Sequence, residues 1–113
     1  MHEMALAESM LEIVETTARK NGAQRVLAVR LEIGALASVE PDALRFCFDA
    51  VTRGSMAERA RLEIVTTPGA AWCIPCAETI PLPALGVPCP RCGSYQLAVS
   101  EGDAMRVKDI EVA

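Results

Sequence analysis

The chain has 113 residues, of which 51% are apolar, 23% charged and 4% aromatic, and its 11 basic and 15 acidic side chains leave a net charge of −4. That length supports one domain, or one domain with a small satellite, and the apolar fraction excludes wholesale disorder. The excess of acid argues against a protein whose main task is neutralising phosphate on nucleic acid or anionic membrane.

The opening Met1-His2-Glu3-Met4, with Glu8 and Glu12 close behind and no basic segment, does not read as a secretory signal. No uncharged run reaches membrane-spanning length, and the uncharged stretch Thr79 to Pro90 holds four prolines. A cytoplasmic protein is expected. From Met4 to Lys20 the residues Leu6, Met10, Ile13, Val14 and Thr17 recur at helical spacing, and Asn21-Gly22 supplies the stop. Arg25 to Ile33 alternates, with Leu27, Val29, Leu31 and Ile33 on one face, as a half-buried strand does. Pro41 suits a first helical turn, and Leu44, Cys47, Phe48 and Val51 form the stripe of a second helix closed by Gly54.

Arg61 to Thr66 reads as a strand with Leu62 and Ile64 inward, and Met105 to Val112 as the last one. In that last strand Met105 and Val107 have one parity and Ile110 and Val112 the other, which predicts a bulge at Lys108-Asp109. Between positions 68 and 90 lie six of the seven prolines, and from Pro68 to Val99 the only charges are Glu78 and Arg91. Such a segment cannot be helical or form a central strand. The expected fold class is α+β: a small three-stranded sheet with two helices, discontinuous in sequence (1–67 and 101–113), with an inserted zinc-ribbon-like module (68–100). The uncharged face of that module is an expected docking surface.

Four of the five cysteines fall in the module as Cys73-Ile74-Pro75-Cys76 and Cys89-Pro90-Arg91-Cys92-Gly93. Two residues between cysteines let both sulfurs reach one ion while backbone amides donate to them, and Gly93 permits the positive φ of such a knuckle. Four thiolates in a tetrahedron suit Zn²⁺ and leave no position for an activated water, so the site is structural and not catalytic. A rubredoxin-like iron site uses the same ligands, so spacing alone leaves zinc and iron open. A thioredoxin-type dithiol needs its motif at the start of a helix, and Pro75, Pro81 and Pro83 leave no room for one. Cys47, on the apolar face of a helix, reads as a small buried hydrophobe.

His2 is the only histidine. With Met1 retained, the terminal amine, the His2 amide nitrogen and the His2 imidazole close consecutive five- and six-membered chelate rings, and Glu3 adds a carboxylate. Nitrogen-rich, tetragonal sites of this kind favour Ni²⁺ or Cu²⁺ over Zn²⁺. The amine must lose its proton on binding, so affinity rises with pH. Two rival readings stand beside a metal carrier. A zinc-ribbon nucleic-acid binder needs basic and aromatic side chains around its knuckles, and here only Arg91, Trp72 and Tyr95 are available. A structural adaptor would have an amino terminus that binds nothing.

An opening Met-His-Glu on an amphipathic helix, a strand ending Ile33-Gly34, a second helix and an inserted CxxC–x12–CPxC module together resemble the HypA/HybF family of nickel metallochaperones for hydrogenase maturation. The likeness extends to the closing strand, Met105 to Val112. It implies a carrier and not an enzyme, one that binds Ni²⁺ through His2, the Met1 amine and Glu3, holds zinc through Cys73, Cys76, Cys89 and Cys92, and acts in the cytoplasm. It further implies delivery to the large subunit of [NiFe] hydrogenase with a HypB-type GTPase, some members serving urease, and no nucleic-acid or membrane partner; a homodimer is left open. Certain relatives carry a further histidine near the zinc cysteines, whereas this chain has none after position 2.

Overall fold

The computed structural model describes residues 2–113, which form two helices and six strands in the order α1 (His2–Lys20), β1 (Val26–Gly34), α2 (Pro41–Val51), β2 (Arg61–Thr67), β3 (Ala70–Cys73), β4 (Glu78–Pro81), β5 (Leu97–Glu101) and β6 (Met105–Val112). They fall into two compact units. One holds the chain through Leu31 together with Val39–Val65 and Arg106–Ala113; the other holds Glu32–Ser38 and Thr66–Met105.

In the first unit α1 packs on α2. The buried stripe of α1 is Glu3, Ala7, Met10, Val14 and Ala18, one helical turn apart each time. This differs from the stripe expected from the sequence: Met10 and Val14 are buried, but Ile13 is 54% exposed. Ala7 and Ala18 are fully buried instead, small side chains that leave room for a close neighbour. The helix ends as its Asn-Gly signal requires, with Gly22 at φ +67, Gly22 N–H donating to Arg19 O and Ala23 N–H to Ala18 O. Helix α2 starts at Pro41, capped by the Glu40 carboxylate, which accepts from Ala43 N–H at 2.7 Å. It buries Leu44, Cys47 and Phe48. Each fully buried Met, Leu or Val of this core contributes about 1.5–3 kcal/mol.

Strand β1 is the centre of a sheet ordered β2-β1-β6. Val26, Ala28, Val29, Leu31 and Ile33 are all buried, so this strand is covered more fully than alternation alone implied. On β6 the half-buried positions are Met105, Val107 and Ile110, so the parity changes across Lys108-Asp109 as it does in the sequence. Arg30 on β1 reaches Glu63 on β2 at 3.4 Å and Asp109 on β6 at 2.8 Å, a charged ladder across three strands. All three side chains remain well exposed, so the ladder adds little stability.

The second unit is built on an antiparallel sheet ordered β4-β3-β5. Its core is small: Leu36, Ala71, Cys73, Ile80, Leu82 and Cys89, with Cys76, Val87 and Leu97 at its margin. Two of those six core residues are themselves cysteines of the CxxC pairs, so packing and thiol chemistry share one space. Three glycines allow its segments to touch. A Cβ on Gly102, at φ +82, would stand 2.5 Å from Pro68 O and 2.6 Å from Gly69 Cα, and one on Gly34 would collide with the Gly102 backbone.

Candidate metal centre

Each CxxC pair sits on a tight turn whose geometry is set by the residue just after it. In the first, Cys73 ends β3, Glu78 opposite it begins β4, and Ala77 N–H donates to Cys73 O at 2.8 Å. In the second, Gly93 N–H donates to Cys89 O at 2.9 Å and Cys89 N–H to Ser94 O at 2.9 Å. Ala77 and Gly93 occupy equivalent places and both have positive φ, +53 and +76. Glycine adopts that conformation freely, whereas alanine is strained there. Ile74 N–H donates to Gln96 O at 3.1 Å, tying the first turn to the segment that follows the second.

The turns bring the four sulfurs together. Cys73 Sγ lies 3.6 Å from Cys92 Sγ, Cys76 Sγ lies 4.0 Å from Cys89 Sγ, and all four fall within 4.8 Å of one another. An ion bound tetrahedrally at about 2.3 Å needs sulfurs about 3.8 Å apart, so these thiols fit a four-thiolate metal ion with little movement. The backbone is already arranged for thiolates. N–H groups of Cys92 and Arg91 face Cys89 and hold its thiol down at about 7, the Arg91 N–H lying 3.4 Å from the sulfur. Burial pushes the Cys73 thiol up, and the neighbouring thiols of Cys92 and Cys73 push Cys76 up to about 12. A divalent cation removes that mutual opposition. With sulfur in all four positions, an ion held there would have no open coordination site at which to activate water. Cys47 is buried on α2 and stands outside the cluster.

The expected nickel ligands stand at the start of α1. His2 is its first residue and exposed, with Nδ1 3.7 Å from Glu3 Oε2. Glu3 is buried, and its Oε2 accepts from the Glu40 N–H at 3.3 Å. That N–H holds the Glu3 carboxyl below its ordinary range. The carboxylate is therefore fixed at the entrance to α2 while the imidazole beside it faces solvent. Met1 lies outside the described residues. Helical spacing did not foretell the Glu40 contact of Glu3; Glu40-Pro41, a polar residue before a proline that opens a helix, was the available signal.

A closed four-thiol cluster on a small antiparallel sheet, joined to an α+β unit, defines a small metal-binding protein. Comparison with known proteins makes this specific. Residues 1–112 match the family described as hydrogenase/urease nickel incorporation, metallochaperone, hypA. Hydrogenase maturation factors HypA from Dechloromonas aromatica (strain RCB) and Rhodopseudomonas palustris (strain BisB5) are 57% and 58% identical to this chain, over 99% of its length and 99% of theirs. The solution structure of the Ni metallochaperone HypA from Helicobacter pylori superposes with a TM-score of 0.73 at 25% identity, covering 99% of this chain and 97% of that one. The chain belongs to the HypA family. It is thus a metallochaperone of the hydrogenase maturation machinery and not an enzyme.

Proposed function

We propose that this chain carries Ni²⁺ as cargo at its amino terminus and delivers it to the large subunit of a [NiFe] hydrogenase, in the cytoplasm and with a HypB-type GTPase. In this reading the cargo ion is held by the Met1 amine, the His2 amide and imidazole, and Glu3. Zinc resides permanently in the module 68–100 on Cys73, Cys76, Cys89 and Cys92. The observation that carries the reading is the pairing of an exposed imidazole on the first helical residue with a membership that spans the whole chain. Few ligands, open to solvent, give exchange and moderate affinity, as a carrier requires. Nitrogen donors favour Ni²⁺ over Zn²⁺, and the sulfur cluster keeps the two ions apart by type.

The buried Glu3 carboxylate has a second duty: it anchors the first turn of α1 and so fixes the direction in which His2 points. None among the described residues forms a helix long and apolar enough to cross a membrane. Metal analysis of an untagged protein with a free Met1 amine tests the reading. One tightly held zinc and one exchangeable nickel per chain are expected. His2→Ala should weaken nickel binding about 100-fold or more with zinc unchanged. Two residues added ahead of Met1 should do the same, and nickel binding that survives both changes overturns the reading.

A further inference from the structure

We propose that Arg91 and Glu78 form a clasp across the two CxxC turns that slows the escape of the ion held between them; this rests on the reading that Cys73, Cys76, Cys89 and Cys92 hold zinc. From Pro68 to Val99 these are the only two charged residues, and they are 13 positions apart. The structure brings them into a direct ion pair, Arg91 Nη1 on Glu78 Oε1. Glu78 begins the strand that leaves the first turn, and Arg91 stands between the two cysteines of the second. The pair thus spans the cluster.

Arg91 is tied in twice. Its backbone N–H faces the Cys89 sulfur at 3.4 Å while its guanidinium reaches the opposite turn. Four thiolates around one Zn²⁺ leave a net charge of −2, so an acidic residue two positions beyond a ligand is unfavourable unless a cation accompanies it. Arg91 supplies that cation and links it to the far turn. Transfer of the ion to a chelator displaces the sulfurs one after another, each displacement is easier when the two turns spread, and this pair resists that spreading. Both side chains are well exposed, so the effect is a modest one on rate and not a condition of folding.

The test is transfer of zinc from the full-length protein to a chromophoric chelator, followed by stopped flow at low and high salt. Co²⁺ substituted for zinc supplies a readout of the sulfur geometry. Wild-type protein should hold one zinc and give a tetrathiolate Co²⁺ spectrum; if it binds no metal at the cysteines, the zinc reading fails and the clasp with it. Arg91→Gln should lose zinc about two- to fivefold faster, and Glu78→Gln somewhat less so, with the Co²⁺ spectrum unchanged and the difference shrinking in high salt. The reversed pair, Glu78→Arg with Arg91→Glu, separates a clasp from a local field: a clasp is restored by reversal. If the reversed protein loses zinc faster than Arg91→Gln, or if the single variants match wild type while zinc is held, the clasp is overturned.

Discussion

The cysteine cluster and the amino-terminal pair, the two ion sites proposed above, are built in opposite ways. The cluster draws its donors from two turns separated by twelve residues, and each turn is closed by its own backbone hydrogen bonds. The terminal donors are neighbours in sequence, on the first turn of one helix, and the imidazole is open to solvent. What differs is how many constraints an ion must break to leave, and this matters as much as whether the donor is nitrogen or sulfur. In a carrier the permanent ion belongs in the constrained site and the cargo in the open one.

That contrast can be broken most severely at the cluster. Cys89→Ser removes the one thiol already held near 7, and stoichiometric zinc should be lost, with the dispersion of amide signals from residues 66–105 collapsing in an NMR spectrum while those of α1 and α2 persist. Collapse of α1 and α2 as well would show that the two regions are not separable. Acidity should come next in size. Burial pushes the Cys73 thiol up and the neighbouring thiols push Cys76 up, so an ion that binds here must displace a proton from each. Binding therefore tightens as pH rises, by about tenfold per unit for each proton displaced. A pH indicator in weak buffer reads the release directly, and a proton count near zero contradicts the assignment.

Smaller effects sharpen the comparison. Glu3→Ala removes the acceptor of the Glu40 N–H and should lower Tm by a few degrees while leaving zinc stoichiometry intact. Smallest of all, Ala77→Gly relieves a positive φ in the first turn and should stabilise the metal-bound protein by about 0.5 kcal/mol, read as a shift in the denaturant midpoint. A loss of stability at that position would show that the first turn is not a strained copy of the second.

The cysteine spacing, Gly93 and the proline content made the metal module legible in the sequence, because ligand geometry tolerates few alternatives. The helices and the three strands of the larger sheet were legible too, through periodicity and through Asn21-Gly22 and Pro41. The inward face of α1 was not. Hydrophobicity pointed to Ile13, whereas packing selected Ala7 and Ala18, and close helix contact is a matter of size that a hydrophobic pattern does not weigh. Leu36 was equally hidden: it lies in the core of the cysteine unit although more than thirty residues separate it from the first CxxC pair. Glu78 and Arg91 stood out as isolated charges, but their meeting depends on how the two turns face one another, which spacing does not state.

The backbone junction of Gly34, Gly69 and Gly102 bears on how the chain is made. During synthesis these positions leave the ribosome far apart in time, and the junction cannot assemble until the last of them has emerged. Both CxxC pairs emerge earlier, with reactive sulfur but without the strand and the glycine contacts that complete their surroundings. For that interval the four sulfurs stand without the packing that closes around them in the finished unit, so their surroundings are completed last.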